Sequence, residues 1–227
     1  QQHTIKNIID RFTIEGKVAS FSPFGSGYIN DTYRIVNAET TKPDYLLQRI
    51  NHQVFRNIPG MMNNISKVTD YIRNNKIVGY DQETLNIIRT RDDQLFIKDG
   101  ENYWRMFDFK KGSKSYDLVE TSEQAYQGAL AFGTFMRMLA DFPADSLVET
   151  LPQFHNIILR LETLENAIRE DVRDRVREVG PAIDYVRSIA KLMCEIESLK
   201  IAGKLPLRVT HNDTKFNNVL LDENDKG

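Results

Sequence analysis

The sequence predicts an α+β protein of two unequal lobes with a ligand cleft between them. Three observations carry that reading. Up to residue 109, short strand-like segments and turn signals alternate around a single helical stretch. From Thr121 the apolar period becomes helical and stays so for most of the remaining chain. Near the end a dense polar segment, T-H-N-D-T-K-F-N-N at 210–218, runs straight into the apolar V-L-L. The chain is therefore divided at 1–109, a sheet lobe with one inserted helix, and 110–227, a partial helical lobe carrying the polar loop.

In order, T-I-K-N-I-I-D-R-F at 4–12 predicts a short amphipathic helix. Segments 17–23, 28–36 and 44–50, rich in Val, Ile, Tyr and Leu, predict strands, the first two joined by the turn signal F-G-S-G. Apolar residues at 61, 62, 65, 68, 71 and 72 have helical spacing and predict a helix over 60–75. Strand patterns resume at 85–90, 94–98 and 102–109, with Asp99-Gly100 as a hairpin turn. Thr121 and Gln124 form a capping-box pattern opening a helix to Leu139, which D-F-P at 141–143 stops. Helices over 155–178 and 181–202 are separated by Gly180-Pro181, and L-P-L-R-V-T at 205–210 reads as a short strand before the polar loop.

Composition narrows the class. At 227 residues the chain can bury a substantial core, and its 41% apolar and 27% charged content is that of an ordinary globular protein. Thirty basic and 32 acidic side chains nearly cancel to a net charge of -2, which gives no support to a nucleic-acid partner. The single cysteine, Cys194, rules out an internal disulfide or a multi-cysteine zinc site and fits a reducing compartment. No apolar run approaches the ~20 residues of a membrane span, and the N-terminus shows no signal-peptide core. The expectation is a cytoplasmic protein with no membrane partner.

The spacing His211-x-Asp213-x-x-x-x-Asn218 is that of a phosphoryl-transfer loop. Such chemistry needs positioning and charge neutralisation more than covalent help from the protein. Asp213 can accept the proton of an acceptor hydroxyl and direct that oxygen at a phosphorus. Asn218 offers a neutral amide oxygen, a hard ligand suited to Mg²⁺. Lys215 can place positive charge beside the transferred group, and His211 is better suited to orienting the loop. Three fixed residue types match by chance on the order of 1% of the time in a chain this long, so context must decide against a plain polar turn.

That context has two parts. In F-G-S-G-Y-I-N-D-T-Y at 24–33, Gly25 and Gly27 allow a sharp turn and close approach of backbone N–H groups to phosphates. A plain hairpin turn explains the same residues. On the strand D-Y-L-L-Q-R-I-N the available cation is Arg49, which can pair with phosphate or be a surface arginine near a strand end.

Taken together, these blocks resemble the aminoglycoside phosphotransferase-like branch of the protein-kinase-like fold, and more narrowly the N-acetylhexosamine 1-kinases and their relatives. The residues carrying the resemblance are F-G-S-G-Y-I-N-D-T-Y at 24–33, Y-L-L-Q-R-I-N at 45–51, M-M-N-N-I-S-K-V-T at 61–69 and Y-W-R-M-F-D-F at 103–109. They continue in A-F-G-T-F-M-R-M-L-A-D-F-P at 131–143, L-P-Q-F-H-N at 151–156 and H-N-D-T-K-F-N-N-V-L-L-D at 211–222. The resemblance implies a bilobal fold and ATP- and Mg²⁺-dependent transfer of the γ-phosphoryl to a sugar hydroxyl, in that branch the anomeric hydroxyl of an N-acetylhexosamine. It implies Asp213 as base, with Lys215 and His211 beside it, and Asn218 as metal ligand. The backbone of Gly25, Ser26, Gly27 and Tyr28 would cover the phosphates, and the Arg105–Phe109 stretch, with Met106 and Phe107, would form the adenine hinge.

The sequence departs from the family pattern in four places. Its glycine loop is shorter than G-x-G-x-x-G. Gln48 and Arg49 stand where a strand lysine is expected, and Asn63 and Asn64 stand where that lysine's glutamate partner would be. The second metal-binding aspartate of the family lies in a strand well beyond the loop, so it is expected past Gly227 and the 227-residue chain alone is expected to be inactive. Asp222, Glu223 and Asp225 read as a solvated turn. Competing readings are an aminoglycoside or other hydroxyl-compound phosphotransferase, and a kinase-like binding module without activity. Sulfatase chemistry is disfavoured, because Cys194 lies in C-E-I-E-S rather than a C-x-P-x-R context.

Overall fold

The computed structural model describes residues 2–25, 27, 29–75 and 84–226. Their contacts divide into two compact units, one formed by Gln1–Thr150 with Arg208–Gly227 and the other by Leu151–Leu207.

The first unit is built on an antiparallel sheet. Helix α1 (Gln2–Ile9) precedes strands β1 (Val18–Pro23), β2 (Asp31–Asn37) and β3 (Tyr45–Ile50). Helix α2 (Ile58–Asn74) leads to β4 (Ile87–Ile88), β5 (Ile97–Asp99) and β6 (Asn102–Asp108). The order across the sheet is β1-β2-β3-β6-β4, with β5 pairing to β6 through a turn at Gly100-Glu101, one residue beyond the expected Asp99-Gly100 because Asp99 pairs with Asn102, and Gly100 takes a positive φ of 56°. This is the α+β class expected from the sequence.

Strand alternation sorts side chains to two faces. Ile35, Tyr45, Leu47, Trp104 and Met106 meet Ile5, Ile8 and Ile9 of α1 in one core. Ile50 on the other face meets Ile58, Met61 and Met62 of α2 in a second. Leu47 and Met62 are fully buried, and truncating either to Ala costs about 2–5 kcal/mol. Asn57 starts α2 two residues earlier than the apolar period alone indicated. Its side chain accepts from Gly60 N at 2.9 Å, and Pro59 fits the first helical turn without losing a bond.

Helix α3 (Ser122–Met138) opens on Thr121, whose hydroxyl accepts from Gln124 N at 3.1 Å. The reciprocal half of the expected box is shifted by one residue, since Gln124 Oε1 accepts from Glu120 N. A third cluster joins Ile72, Val68 and Tyr71 of α2 to Leu139, Phe142 and Phe135, and to Val209 just before the polar loop. Asn64 adds two bonds, donating to Val148 O at 2.7 Å and accepting from Val148 N at 3.1 Å. An amide at that position therefore serves the backbone of the 146–148 segment, a task a glutamate cannot perform because it has no donor.

The second unit holds α4 (Ile157–Glu170), α5 (Gly180–Met193) and α6 (Glu195–Ile201). Asn156 caps α4 by accepting from Ile158 N and Leu159 N. The helix expected to reach 178 stops at 170, because Asp171 adopts a left-handed φ of 37° and turns its carboxylate onto Arg175 N and Val176 N. Arg187 of α5 grips Glu165 of α4 with two bonds of 2.8 and 2.7 Å. The helix expected over 181–202 is interrupted at Cys194.

The strand expected before the polar loop is not formed among the described residues, and the apolar run after it forms none either. L-P-L-R-V-T joins no sheet among the described residues, and V-L-L-D contributes a single antiparallel bridge, Leu221 to Lys114. Short apolar runs carry a strand pattern without the partner strand that would make them one. No helix among the described residues is long and apolar enough to cross a membrane.

Candidate active site

The polar loop is a compact backbone structure. Asp213 N donates to His211 O at 2.8 Å, Lys215 N to Asp213 O at 2.8 Å, and Asn218 N to Lys215 O at 2.9 Å. Asn212 takes a positive φ of 59°, a conformation asparagine tolerates better than most residues, and Thr210 Oγ1 donates to its side-chain oxygen. A 3₁₀ turn over Phe216–Asn218 then returns the chain toward the catalytic-type aspartate.

Asp213 and Asn218 meet directly. Asn218 Nδ2 donates to the Asp213 carboxylate at 2.8 Å and to its carbonyl at 2.9 Å. With both amide protons engaged, Asn218 Oδ1 is left as an acceptor and Asp213 keeps a carboxylate oxygen free. Asp213 is exposed. The Lys215 side chain forms no ion pair among the described residues.

Neighbouring elements fix the loop. The His211 ring lies edge-on to Phe132 and Phe135 of α3, at 5.3 and 6.0 Å between centroids. Phe216 packs against Gly128 of α3 so closely that an added Cβ would come within 2.7 Å of its ring, and Tyr116 flanks it at 6.3 Å. Asn217 donates to Asp117 at 3.3 Å. The turn after the loop is partly a tether. Asp222 accepts from Asn224 N and Lys226 N, as a solvated turn would, whereas Asp225 receives the Tyr116 hydroxyl, Gln124 Nε2 at 3.1 Å and Lys114 Nζ at 3.2 Å. The Tyr116, Gln124 and Lys114 donors hold the Asp225 carboxyl below its usual range.

The glycine turn sits between β1 and β2. Gly25 has φ 80°, which a side chain would strain, and among the described residues nothing lies within 4 Å of a Cβ built at Gly25 or Gly27. Ser26 and Tyr28 lie outside the described residues. Phe24 N donates to Thr32 O at 2.9 Å, and the Phe24 ring meets Phe109 edge-on at 5.3 Å. Met106 is fully buried in the α1-side core, and Phe107 is buried on the opposite face, in register with Leu46. Arg49 is exposed on the α1 face, where it pairs with Asp31 and reaches Asn102.

Sequence reasoning missed the supports of the loop. Gly128, Phe132 and Phe135 sit at i, i+4 and i+7 of one helix and so share a face, a pattern visible in G-A-L-A-F-G-T-F. Asp225 and Asp117 gave no such signal, because their partners are about a hundred residues away.

The sheet thus has a helix inserted after its third strand and a glycine turn between its first two, and α3 holds the loop of Asp213 and Asn218. The chain belongs to the phosphotransferase enzyme family APH, whose profile matches residues 20–227. Among solved structures it is similar to the spectinomycin phosphotransferase APH(9)-Ia in complex with ADP and spectinomycin, at 12% identity and a TM-score of 0.49 over 84% of this chain. It is also similar to an aminoglycoside phosphotransferase from Alicyclobacillus acidocaldarius, at 11% identity and a TM-score of 0.47 over 74% of this chain. The chain covers 57% and 44% of those two structures, about half their length.

Proposed function

We propose that the protein transfers the γ-phosphoryl group of ATP to a hydroxyl of a small molecule, with a sugar as acceptor and the anomeric hydroxyl of an N-acetylhexosamine as the particular site. The reading rests on membership of the phosphotransferase family together with one observation, the direct contact between Asp213 and Asn218. In it Asp213 accepts the acceptor proton as its oxygen attacks phosphorus, and the ADP oxygen leaves with the bonding pair. Asn218 holds the carboxylate in orientation through Nδ2. His211, edge-on to two phenylalanines, anchors the start of the loop, and the Lys215 ammonium stands beside the transferred group. The open glycine turn lets backbone N–H groups approach the phosphates.

The donor set fits Mg²⁺. That ion keeps several waters and binds through few protein oxygens plus substrate phosphates, so it needs no dedicated cage. Among the described residues no cluster of three or more acidic, His or Cys side chains could hold a metal, and Asn218 Oδ1 is the protein oxygen offered. When bound, the ion would neutralise charge on the phosphates. The protein acts on soluble substrates in the cytoplasm.

The test is a coupled ADP-release assay on the full-length protein with ATP, Mg²⁺ and an acceptor panel of N-acetylglucosamine, N-acetylgalactosamine and aminoglycosides. Sugar 1-phosphate formed from the N-acetylhexosamines, and lost in Asp213→Asn, is the expected result. Turnover with aminoglycosides alone would replace the sugar assignment, and undiminished turnover in Asp213→Asn would remove the base.

A further inference from the structure

The sheet raises a question of charge. On β3, where a cation for the phosphates is expected, alternation sends Gln48 to the α2 face and Arg49 to the α1 face, where Asp31 neutralises it. The α2 face is the one that leads to the catalytic-type loop. Helix α2, lying on it, packs with α3 and Val209, and α3 in turn holds His211 and Phe216. Arg49 is thus on the wrong side of the sheet to meet a phosphate near Asp213.

One row of polar side chains crosses that face. Thr32, Gln48 and Arg105 are in register on β2, β3 and β6. Gln48 Nε2 donates to Thr32 Oγ1 at 3.1 Å, and Arg105 Nε donates to Gln48 Oε1 at 3.0 Å. The row begins at the glycine turn, since Thr32 O is the acceptor for Phe24 N.

At its other end Arg105 is half-buried and has no carboxylate partner among the described residues. Its remaining contacts are weak ones, Met62 Sδ at 4.0 Å and the Phe107 ring at 5.1 Å. Most of its five N–H donors are therefore uncommitted. Burial alone draws this guanidinium down to about 10. A desolvated cation without a counter-charge is unfavourable, and an anion that completes it gains correspondingly. The other arginine on this face, Arg34, is already paired with Asp44 at 2.9 Å.

We propose that Arg105, reaching across from β6 rather than from β3, is the cation that receives the nucleotide's phosphates on the α2 face of the sheet, with Gln48 as the bracket that aims it. The proposal rests on the ATP-dependent reading above. A planar guanidinium can engage phosphate with two parallel bonds, so the site takes a polyphosphate and does not add affinity for the nucleoside alone.

Calorimetric titration of the full chain with ATP and separately with adenosine tests it. Arg105→Met is expected to weaken ATP about tenfold or more while adenosine binding stays unchanged. Arg105→Lys, which keeps the charge but loses the fork, is expected to fall between, and it carries the test if the Met variant fails to fold. Equal ATP affinity in the variants and the parent would overturn the proposal. So would a parallel loss of adenosine, which marks a structural role, or an ATP-specific loss in Arg49→Met instead. A parent protein that binds adenosine but not ATP would overturn the proposal and the phosphoryl-donor assignment together, so the two failures are told apart.

Discussion

Replacing Gly128 by alanine should disable the loop without unfolding the protein. The new Cβ would come within 2.7 Å of the Phe216 ring, whereas carbon atoms pack at about 3.5–4.0 Å, so the ring must retreat by about 1 Å. Phe216 begins the 3₁₀ turn that carries Asn218, and Asn218 touches the Asp213 carboxylate at 2.8 Å. A displacement of that size in a reacting constellation costs about 10²-fold in kcat. Stability responds differently. Alanine favours a helix interior by about 0.5–1 kcal/mol over glycine, and overpacking costs about 1–3 kcal/mol, so the net cost is about 0–2.5 kcal/mol. Steady-state kinetics and a thermal melt on the same sample decide the matter. A variant with unchanged kcat and a raised Tm would show that α3 does not position the loop.

Asn218→Ala should lower kcat about 10²-fold and raise the Mg²⁺ concentration needed for half-maximal rate, and a change in neither would remove it from the site. Asp44 tests the sheet by pH. Burial pushes its carboxyl up, but the Asn37 N–H, Arg34 and Lys111 outweigh that and hold it below the ordinary range. A carboxylate lowered on folding stabilises fully above its unfolded value near about 3.9 and loses that contribution as pH falls through the folded value. Wild-type Tm should therefore drop more steeply than that of Asp44→Asn on acidification from pH 5 to the unfolding limit, and parallel curves would refute the assignment. Asn156→Ala should cost about 1 kcal/mol as a lost helix cap, read as a lower Tm, with kcat/KM unchanged because 151–207 carries no candidate site residue.

The sheet strands and α2 were legible because their periods of two and 3.6 are local properties of the sequence. The spacing of Asp213 and Asn218 is local in the same way, but the hydrogen bond between them is a finding of the structure, since the sequence suggested only separate roles. The face on which Arg49 lies follows from register, which depends on which residue opposes it across two neighbouring strands. The same holds for Asp225, bound by Tyr116, Gln124 and Lys114 from over a hundred positions upstream. The segment at 205–210 shows the converse, a strand-like composition that joins no sheet among the described residues.

The doublet Gln48-Arg49 has a consequence for folding. It interrupts an otherwise apolar strand, Y-L-L-Q-R-I, at the point where one polar side chain faces each layer. Were β3 to slip by a single residue against its neighbours, Leu47 would leave the α1 core and Arg49 would enter the layer under Met62. Only one alignment keeps both polar groups bonded and both cores dry. The doublet thus specifies strand register from within the sheet itself, with no ligand required.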